Sequence, residues 1–217
     1  MIIAIDGPSG SGKSTIAKIL AKKLNISYLD TGAMYRGIGY YAVSNGISPD
    51  DEQAVVGLIK DLKMEISEEN GIQQVIVNGK NVTPYIRENS ISMAASTISK
   101  IPQVRIKLVE LQREIAAKSD CILDGRDIGS YVLPNADYKI YMTASSLVRA
   151  QRRQAELALK GQILTVDEIL EDIEKRDKQD KTRKFAPLVI CEDAVVIDTS
   201  FLNVEEVVEK IIDIVCK

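Results

Sequence analysis

The chain of 217 residues contains no histidine and no tryptophan. The absence of histidine excludes Ser-His-Asp and Cys-His catalysis and every zinc site built on imidazole. With only eight tyrosines and two phenylalanines, a stacking platform for single-stranded nucleic acid is not expected. The three cysteines, an odd number, indicate a reduced intracellular protein with buried thiols, because Cys121 and Cys216 stand among apolar residues.

The chain also lacks a long apolar run. The apolar start over residues 2–5 is too short for the core of a signal peptide. No run approaches the ~18 residues that cross a bilayer, so we expect a cytoplasmic protein. The chain has 28 Lys and Arg residues and 31 Asp and Glu residues. This balance argues against a polycation that binds nucleic acid or anionic membranes through its overall charge. A local basic site is compatible with this balance.

Short apolar runs alternate with helical periodicity along most of the chain. They predict five buried strands, near residues 2–5, 26–29, 121–123, 138–142 and 194–197. Strands that alternate with helices form a parallel sheet flanked by helices, so we expect an α/β fold. Residues 64–82 differ, because β-like runs separated by Asn70-Gly71 and Asn78-Gly79 predict a small antiparallel insert.

Residues 7–14, Gly-Pro-Ser-Gly-Ser-Gly-Lys-Ser, match the phosphate-binding pattern GxxxxGK[ST] between the first strand and a helical pattern. Such a loop wraps a phosphate with its N–H groups at the positive end of a helix dipole. Lys13 would bridge the β- and γ-phosphates of ATP, and the Ser14 hydroxyl would hold Mg²⁺. Asp124, at the end of the third strand, would orient Mg²⁺ through water or would only form a turn. The predicted ATP-binding residues are Gly7, Pro8, Ser9, Gly10, Ser11, Gly12, Lys13, Ser14 and Thr15.

A late helix carries an apolar stripe that becomes charged. Thr165 and Glu168 form a capping-box pattern, and Ile169 and Ile173 continue as a buried stripe. At the same helical spacing follow Arg176, Asp180 and Arg183. A face that enters a polar cleft produces this pattern, and so does a solvated helix end with ion pairs.

A second group of arginines lies at positions 149, 152 and 153, on one face of a helix that Gly161 is expected to end. These side chains fit a short mobile lid that closes over a transferring phosphoryl group. A basic helix surface explains them equally well.

Together these segments resemble the bacterial cytidylate kinases, also called CMP kinases. The resemblance covers essentially the whole chain. It is most specific over residues 29–36, Leu-Asp-Thr-Gly-Ala-Met-Tyr-Arg, and 124–129, Asp-Gly-Arg-Asp-Ile-Gly. It implies a P-loop kinase fold with a five-stranded parallel core over residues 1–36, 105–148 and 167–217. A nucleoside-monophosphate-binding insert would span 37–104 and a short helical lid 149–166.

The resemblance also implies the reaction and the residues that perform it. ATP, with Mg²⁺, would phosphorylate CMP or dCMP to CDP or dCDP. The protein would be a monomer whose partners are small nucleotides, with no nucleic acid and no membrane. The catalytic residues would be Lys13, Arg126, Arg149 and Arg153.

The implied CMP-binding residues divide by the part of the nucleotide that they contact. Thr31 stands where the family pattern has serine, so the hydroxyl is kept. The substrate phosphate would be held by Arg36, Arg126 and Arg183. The ribose would contact Arg176 and Asp180, and the base would be read by Ser96, Arg105 and Asp127.

If Asp127 reads the base, as the resemblance implies, the hydrogen-bond chemistry favours cytosine. The N4 amino group of cytosine donates to a carboxylate such as Asp127, whereas uracil places an acceptor there and leaves the carboxylate unpaired. Two other readings stay open at this point. One is another small-acceptor P-loop kinase, for shikimate, gluconate or dephospho-CoA; the other is a non-catalytic ATP-binding switch.

Overall fold

A computed structural model describes residues 1–159 and 161–216. The chain forms two compact units. The first unit joins Met1–Tyr28 to the part of the chain that begins at Lys118, and the second comprises Leu29–Ala117. The insert predicted over 37–104 lies within the second unit.

The secondary structure alternates as the apolar runs predicted. The elements in chain order are β1 (Ile2–Asp6), α1 (Lys13–Leu24), β2 (Ser27–Asp30), α2 (Thr31–Ser44), α3 (Glu52–Ile59), β3 (Met64–Glu69), β4 (Ile72–Val77), β5 (Lys80–Asn81), α4 (Asn89–Ile98), α5 (Pro102–Ala116), β6 (Cys121–Gly125), a π-helical turn (Ile128–Val132), β7 (Tyr138–Thr143), α6 (Ser146–Ala158), α7 (Val166–Thr182), β8 (Val195–Asp198) and α8 (Val204–Val215).

The main sheet has five strands in the order β2-β6-β1-β7-β8. The central strand β1 pairs in parallel with β6 and β7, and β7 pairs in parallel with β8. This order brings the carboxyl ends of the strands, and the loops that follow them, to one edge of the sheet. The predicted five-stranded parallel sheet is confirmed.

The core of the first unit lies between this sheet and two helices. Ile3 and Ile5 of β1 are fully buried, and they pack with Leu20 of α1 and Ile211 of α8. A separate cluster joins α6 to α7 through Ala150, Leu157, Ile169 and Ile173. The apolar stripe predicted on α7 is therefore the packing face between these two helices.

The second unit combines four helices with the predicted antiparallel insert. The strands β3, β4 and β5 form a three-stranded sheet, and both connecting turns are Asn-Gly with positive φ at each residue. Tight two-residue hairpins require that conformation. The core of this unit is built by Met34 and Ile38 of α2 with Val75, Ile98 and Leu108, all buried.

The cysteines only partly follow the expectation of buried thiols. Cys121 is buried in β6, but Cys216 is exposed, so that expectation is wrong for Cys216. Val215 occupies the buried position at the end of α8, and the next residue is turned about 100° around the helix axis toward solvent. Among the helices of the two described segments, none is both long and apolar enough to cross a membrane.

Candidate active site

The loop between β1 and α1 follows a tight path that depends on its glycines, as a phosphate-binding loop does. Gly7, Gly10 and Gly12 all have positive φ. A Cβ atom at Gly7 would overlap the carbonyl oxygen of Met142, so only glycine lets the loop pass this close to β7. The loop ends at the start of α1, where the first N–H groups of a helix have no partner within the helix and the dipole end is positive.

Lys13 is folded into this loop. Its Nζ atom donates to the Pro8 carbonyl oxygen at 2.6 Å and lies 3.3 Å from Ser11 Oγ. Burial and the nearby Arg126 charge lower the pKa of Lys13 well below its usual value, against the carboxylates of Asp124, Asp6 and Asp180. An incoming phosphate would favour the charged ammonium form.

Ser14 and Asp124 meet at the start of α1. The Ser14 hydroxyl donates to Asp124 Oδ2 at 2.8 Å, and the Tyr28 hydroxyl donates to the other carboxylate oxygen, also at 2.8 Å. The structure therefore brings together the two residues that the sequence predicted for the metal. Tyr28, which fixes the carboxylate, was missed because a lone tyrosine on a short strand gives no signal.

A second carboxylate, Asp6, ties β1 to the loop that follows β6. It accepts hydrogen bonds from the N–H groups of Ile128 at 2.8 Å and Gly129 at 2.7 Å. Burial raises the pKa of Asp6 to about 6, although both hydrogen bonds act against the shift. Asp6 thus fixes the π-helical turn directly after Arg126 and Asp127.

The charged end of α7 forms a buried cluster around Asp180. Arg126 Nε donates to Asp180 Oδ2 at 3.0 Å, and Arg183 Nη1 lies 3.6 Å from Oδ1. Burial raises the pKa of Asp180, but the charges of Arg126, Arg176 and Arg183 outweigh burial, and the pKa lies below its usual value. Three guanidinium groups thus surround one ionised carboxylate in the first unit.

Asp127 and Arg183 complete this cluster. Arg183 Nη2 lies 3.7 Å from Asp127 Oδ1, and both side chains are almost fully buried. Arg183 also donates from Nε to the carbonyl oxygen of Ala186 at 2.7 Å. Ala186 adopts a left-handed φ of 47°, which is uncommon for alanine and strained.

The three arginines of α6 are all engaged with protein groups. Arg149 is buried and forms a two-pronged ion pair with Asp177, at 2.6 and 3.1 Å. Arg152 donates to Thr199, and Arg153 pairs with Glu156 at 2.9 Å. Helix α6 ends at Ala158, and Gly161 follows with a φ of 74°, as its role as a stop predicted.

An open cavity of about 450 Å³ borders the loop at Pro8. Its lining includes Arg149 and Asp177, together with Lys178 and Lys181, for which the sequence indicated no role. This cavity leaves room beside the loop for a ligand in the first unit.

In the second unit, the predicted residues lie on α2, α4 and α5. Thr31 is buried at the start of α2, and Arg36 forms an ion pair of 2.9 Å with Asp30, the residue that caps this helix. Arg105 is buried, donates to the Ser99 carbonyl oxygen at 3.1 Å and lies 5.4 Å from the centre of the Tyr35 ring. Ser96 is half-buried on α4.

Comparison with known proteins identifies the family of the chain. The family model described as cytidylate kinase matches residues 3–217. A cytidylate kinase of Caldicellulosiruptor bescii is 47% identical over 99% of this chain and 95% of its own length. One from Carboxydothermus hydrogenoformans is 45% identical over 99% of this chain and 97% of its own length.

A solved structure of an uncharacterised protein from Eubacterium ventriosum shares the fold, with a TM-score of 0.54 and 14% identity. The match covers 100% of this chain and 99% of the other. On the family model and the identity to its curated members, this chain belongs to the cytidylate kinase family.

Proposed function

We propose that the protein transfers the γ-phosphoryl group of ATP to CMP and dCMP, in line, giving ADP with CDP or dCDP. The observation that carries this proposal is the pairing of a phosphate-binding loop with the arginine cluster around Asp180 in the first unit. β1 and β6 are neighbouring parallel strands, so the loop that follows β1 and Arg126, which follows β6, lie at the same edge of the sheet. The arginine cluster would hold the phosphate of the acceptor, and the phosphate-binding loop would hold the phosphates of the donor.

The chain's own residues would act by position and charge. In a loose transition state for phosphoryl transfer, charge spreads over the moving oxygens and little proton transfer is needed. Lys13 and Arg126 would stabilise that charge, and the absence of histidine is compatible with a reaction that needs no dedicated base. Arg149 and Arg153 stay predicted contributors from the lid.

CMP recognition would divide among phosphate, ribose and base. Arg36, Arg126 and Arg183 would hold the phosphate, and Arg176 and Asp180 the ribose. Asp127, Arg105 and Ser96 would read the base, with the Asp127 carboxylate accepting from the cytosine amino group. Thr31 would contribute its hydroxyl to the same substrate.

The residues at the start of α1 fit a magnesium ion. Mg²⁺ prefers oxygen ligands and keeps several waters, so one hydroxyl and one carboxylate beside the phosphates are sufficient. Ser14 Oγ and Asp124 Oδ2 provide this pair, 2.8 Å apart. Within residues 1–159 and 161–216 there is no cluster of three or more acidic or cysteine side chains that suits a metal. When bound, the ion would neutralise charge on the phosphates.

The proposal extends to partners and location. ATP and CMP would be the partners, and a cytoplasmic monomer would meet them in solution without a nucleic acid or membrane. The expectation of a monomer is tested by sedimentation velocity of the purified protein, where a species of twice the monomer mass at micromolar concentration would contradict it.

The two other readings of the sequence are weaker. The curated relatives are named for cytidylate and not for shikimate, gluconate or dephospho-CoA. A switch that only binds ATP has no need for three arginines around a second carboxylate.

The test is the formation of ADP from ATP and Mg²⁺ with CMP, dCMP, UMP, AMP and shikimate offered separately. We expect fast turnover with CMP and dCMP, and a kcat/KM for UMP lower by about a hundredfold or more. In Asp127→Asn the preference for CMP over UMP should decrease, because an amide N–H can donate to the uracil oxygen. Turnover with shikimate but with none of the nucleotides, or no turnover with any acceptor offered, would contradict the proposal.

A further inference from the structure

The carbonyl groups of the phosphate-binding loop are held from outside by other elements. A loop whose N–H groups serve a phosphate must turn carbonyl groups the other way, and those need donors. Arg149 Nη1 donates to the Ser9 carbonyl oxygen at 3.0 Å. The Ser11 carbonyl oxygen lies 3.2 Å from the hydroxyl of Thr199, the residue that follows β8.

Thr199 is almost fully buried, with 3% of its surface exposed. Its hydroxyl lies 3.1 Å from the Thr143 carbonyl oxygen and 3.2 Å from that of Ser11. The single hydroxyl hydrogen can serve only one of them. The Thr143 carbonyl oxygen already accepts from the N–H of Thr199 at 2.8 Å, so a hydroxyl that donates to Ser11 gives each of the two carbonyl oxygens a donor.

Arg152 of α6 fixes Thr199 from the other side. Its Nη1 donates to the Thr199 hydroxyl at 3.1 Å and its Nη2 to the Thr199 carbonyl oxygen at 2.6 Å. These two bonds orient the hydroxyl, since an oxygen that accepts from a guanidinium directs its own hydrogen elsewhere. Arg152, Thr199 and Ser11 thus form a relay from α6 to the loop.

A separate contact joins the same helix to the same loop. A Cβ atom at Gly10 would lie 3.2 Å from Cβ of Arg149, so α6 packs directly against the tip of the loop. Arg149 is itself held by Asp177 of α7. The loop therefore depends on α6 for its shape at Ser9, at Gly10 and, through the relay, at Ser11.

We propose that Thr199 is a positioning residue, which with Arg152 holds the Ser11 carbonyl so that the loop is shaped in advance for the triphosphate. The proposal rests on the proposed function for its ligand, ATP. Without the hydroxyl, the Ser11 carbonyl oxygen loses the donor that fixes its direction, and ATP must order this part of the loop as it binds. That ordering weakens binding of ATP and leaves binding of CMP unchanged.

The experiment measures the Kd of ATP with Mg²⁺ by calorimetry, and the KM values of both substrates, in the full chain. Thr199→Val removes the hydroxyl at nearly constant shape, and Thr199→Ser keeps it. The matched control is Ser200→Ala in the same loop, because the Ser200 hydroxyl contacts Asp198 and the Ser145 N–H and has no bond to the phosphate-binding loop among the described contacts.

We expect the ATP Kd to rise about three- to tenfold in Thr199→Val, the effect of one lost hydrogen bond. Thr199→Ser and Ser200→Ala should stay within about twofold, and the KM for CMP should not change in any of the three. Two results would overturn the proposal. One is an equal loss of ATP affinity in Thr199→Ser and Thr199→Val. The other is an equal rise in the KM values of ATP and CMP.

A double-mutant cycle with Arg152→Gln tests the relay itself. We expect Arg152→Gln to raise the ATP Kd and the double variant to be no weaker than the worse single variant. If the two single effects on the ATP Kd multiply in the double variant, Arg152 and Thr199 act independently, and the proposed relay is wrong. If Thr199→Val does not fold, Arg152→Gln against Ser200→Ala decides, since unchanged ATP binding in Arg152→Gln would refute it. Because ATP binding is measured without acceptor, the failure of CMP turnover would be seen separately.

Discussion

Two regions of the first unit each bury a carboxylate to nearly the same extent, but the pKa values of the two carboxylates are shifted in opposite directions. Asp6 is 6% exposed and its pKa is raised to about 6, whereas Asp180 is 4% exposed and its pKa is lowered. Burial acts alike on both, since a desolvated carboxylate prefers its neutral form. The neighbours therefore decide the charge.

The neighbours of Asp6 are mainly peptide N–H groups, and those of Asp180 are guanidinium groups. Backbone donors cannot offset burial at Asp6, but three arginines outweigh it at Asp180. The region around Asp6 is thus a structural clamp. The region at the end of α7 instead holds three guanidinium groups around an ionised carboxylate.

The largest effect is expected when the anion at the centre of the cluster is removed. Asp180→Ala leaves Arg126, Arg176 and Arg183 near one another without their central counter-charge, which should cost about 3–5 kcal/mol in the free energy of unfolding. Urea denaturation measures this loss. The exposed residue Asp172 on the same helix gives the control, Asp172→Ala, expected within about 0.5 kcal/mol. A loss below 1 kcal/mol in Asp180→Ala would mean that the cluster is solvated.

The second test removes a cation from the same cluster. Arg126→Ala should raise the KM for CMP, lower kcat and reduce kcat/KM by about 10²–10³-fold, as the loss of one preorganised donor does. Steady-state kinetics with CMP measures both constants, and the exposed Arg87 supplies the control, Arg87→Ala. Near-normal kinetics in Arg126→Ala would show that the cluster is structural, like the region of Asp6.

The third test uses pH to separate the two regions. Because the pKa of Asp6 is raised to about 6 in the folded state, the folded protein binds this proton more readily than the unfolded chain does. The contribution of Asp6 to stability therefore increases as pH falls through 6 and is smallest above it. Asp180 has the opposite sign, and its contribution is lost at low pH.

The measurement compares the wild type with Asp6→Asn, which cannot titrate. Between pH 7 and pH 4 the wild type should gain up to about 3 kcal/mol relative to the variant, from a shift of about two pKa units. Lys13 and Asp127 are the charged groups that act on Asp6, and both are present in the two proteins. A constant difference across this range would show that Asp6 does not titrate there.

Much of the fold follows from local rules that the sequence displays. Each apolar run became a strand within one or two residues, and both Asn-Gly pairs became hairpin turns, because these patterns depend on neighbouring residues alone. The capping box at Thr165 and Glu168 is present for the same reason. Ser14 and Asp124 meet because Asp124 lies near the carboxyl end of β6, Ser14 follows β1, and these two strands are neighbours in the parallel sheet.

The parts that could not be predicted depend on contacts between residues distant along the chain. Asp6 binds the turn at Ile128, and Thr199 binds Ser11, across 122 and 188 positions. The basic face of α6 gave no sign that Arg149 is buried against Asp177 and the loop. Arginine on a helix surface and arginine under a loop have the same spacing, and only the packing of α6 on α7 separates them.

The smallest effect is expected at the start of α7, the helix whose other end carries the arginine cluster. Thr165→Ala removes the N-cap of α7, where the Thr165 hydroxyl accepts from the Glu168 N–H, and should cost about 1 kcal/mol of stability. Arg176 lies eleven residues further on, about 16 Å along the helix, so the KM for CMP should not change. Thermal unfolding and CMP kinetics together measure this. Glu171→Ala, at an exposed position of the same helix, is the control. An altered KM at unchanged stability would mean that the start of α7 contributes to substrate binding itself, and the charged end would then not act alone.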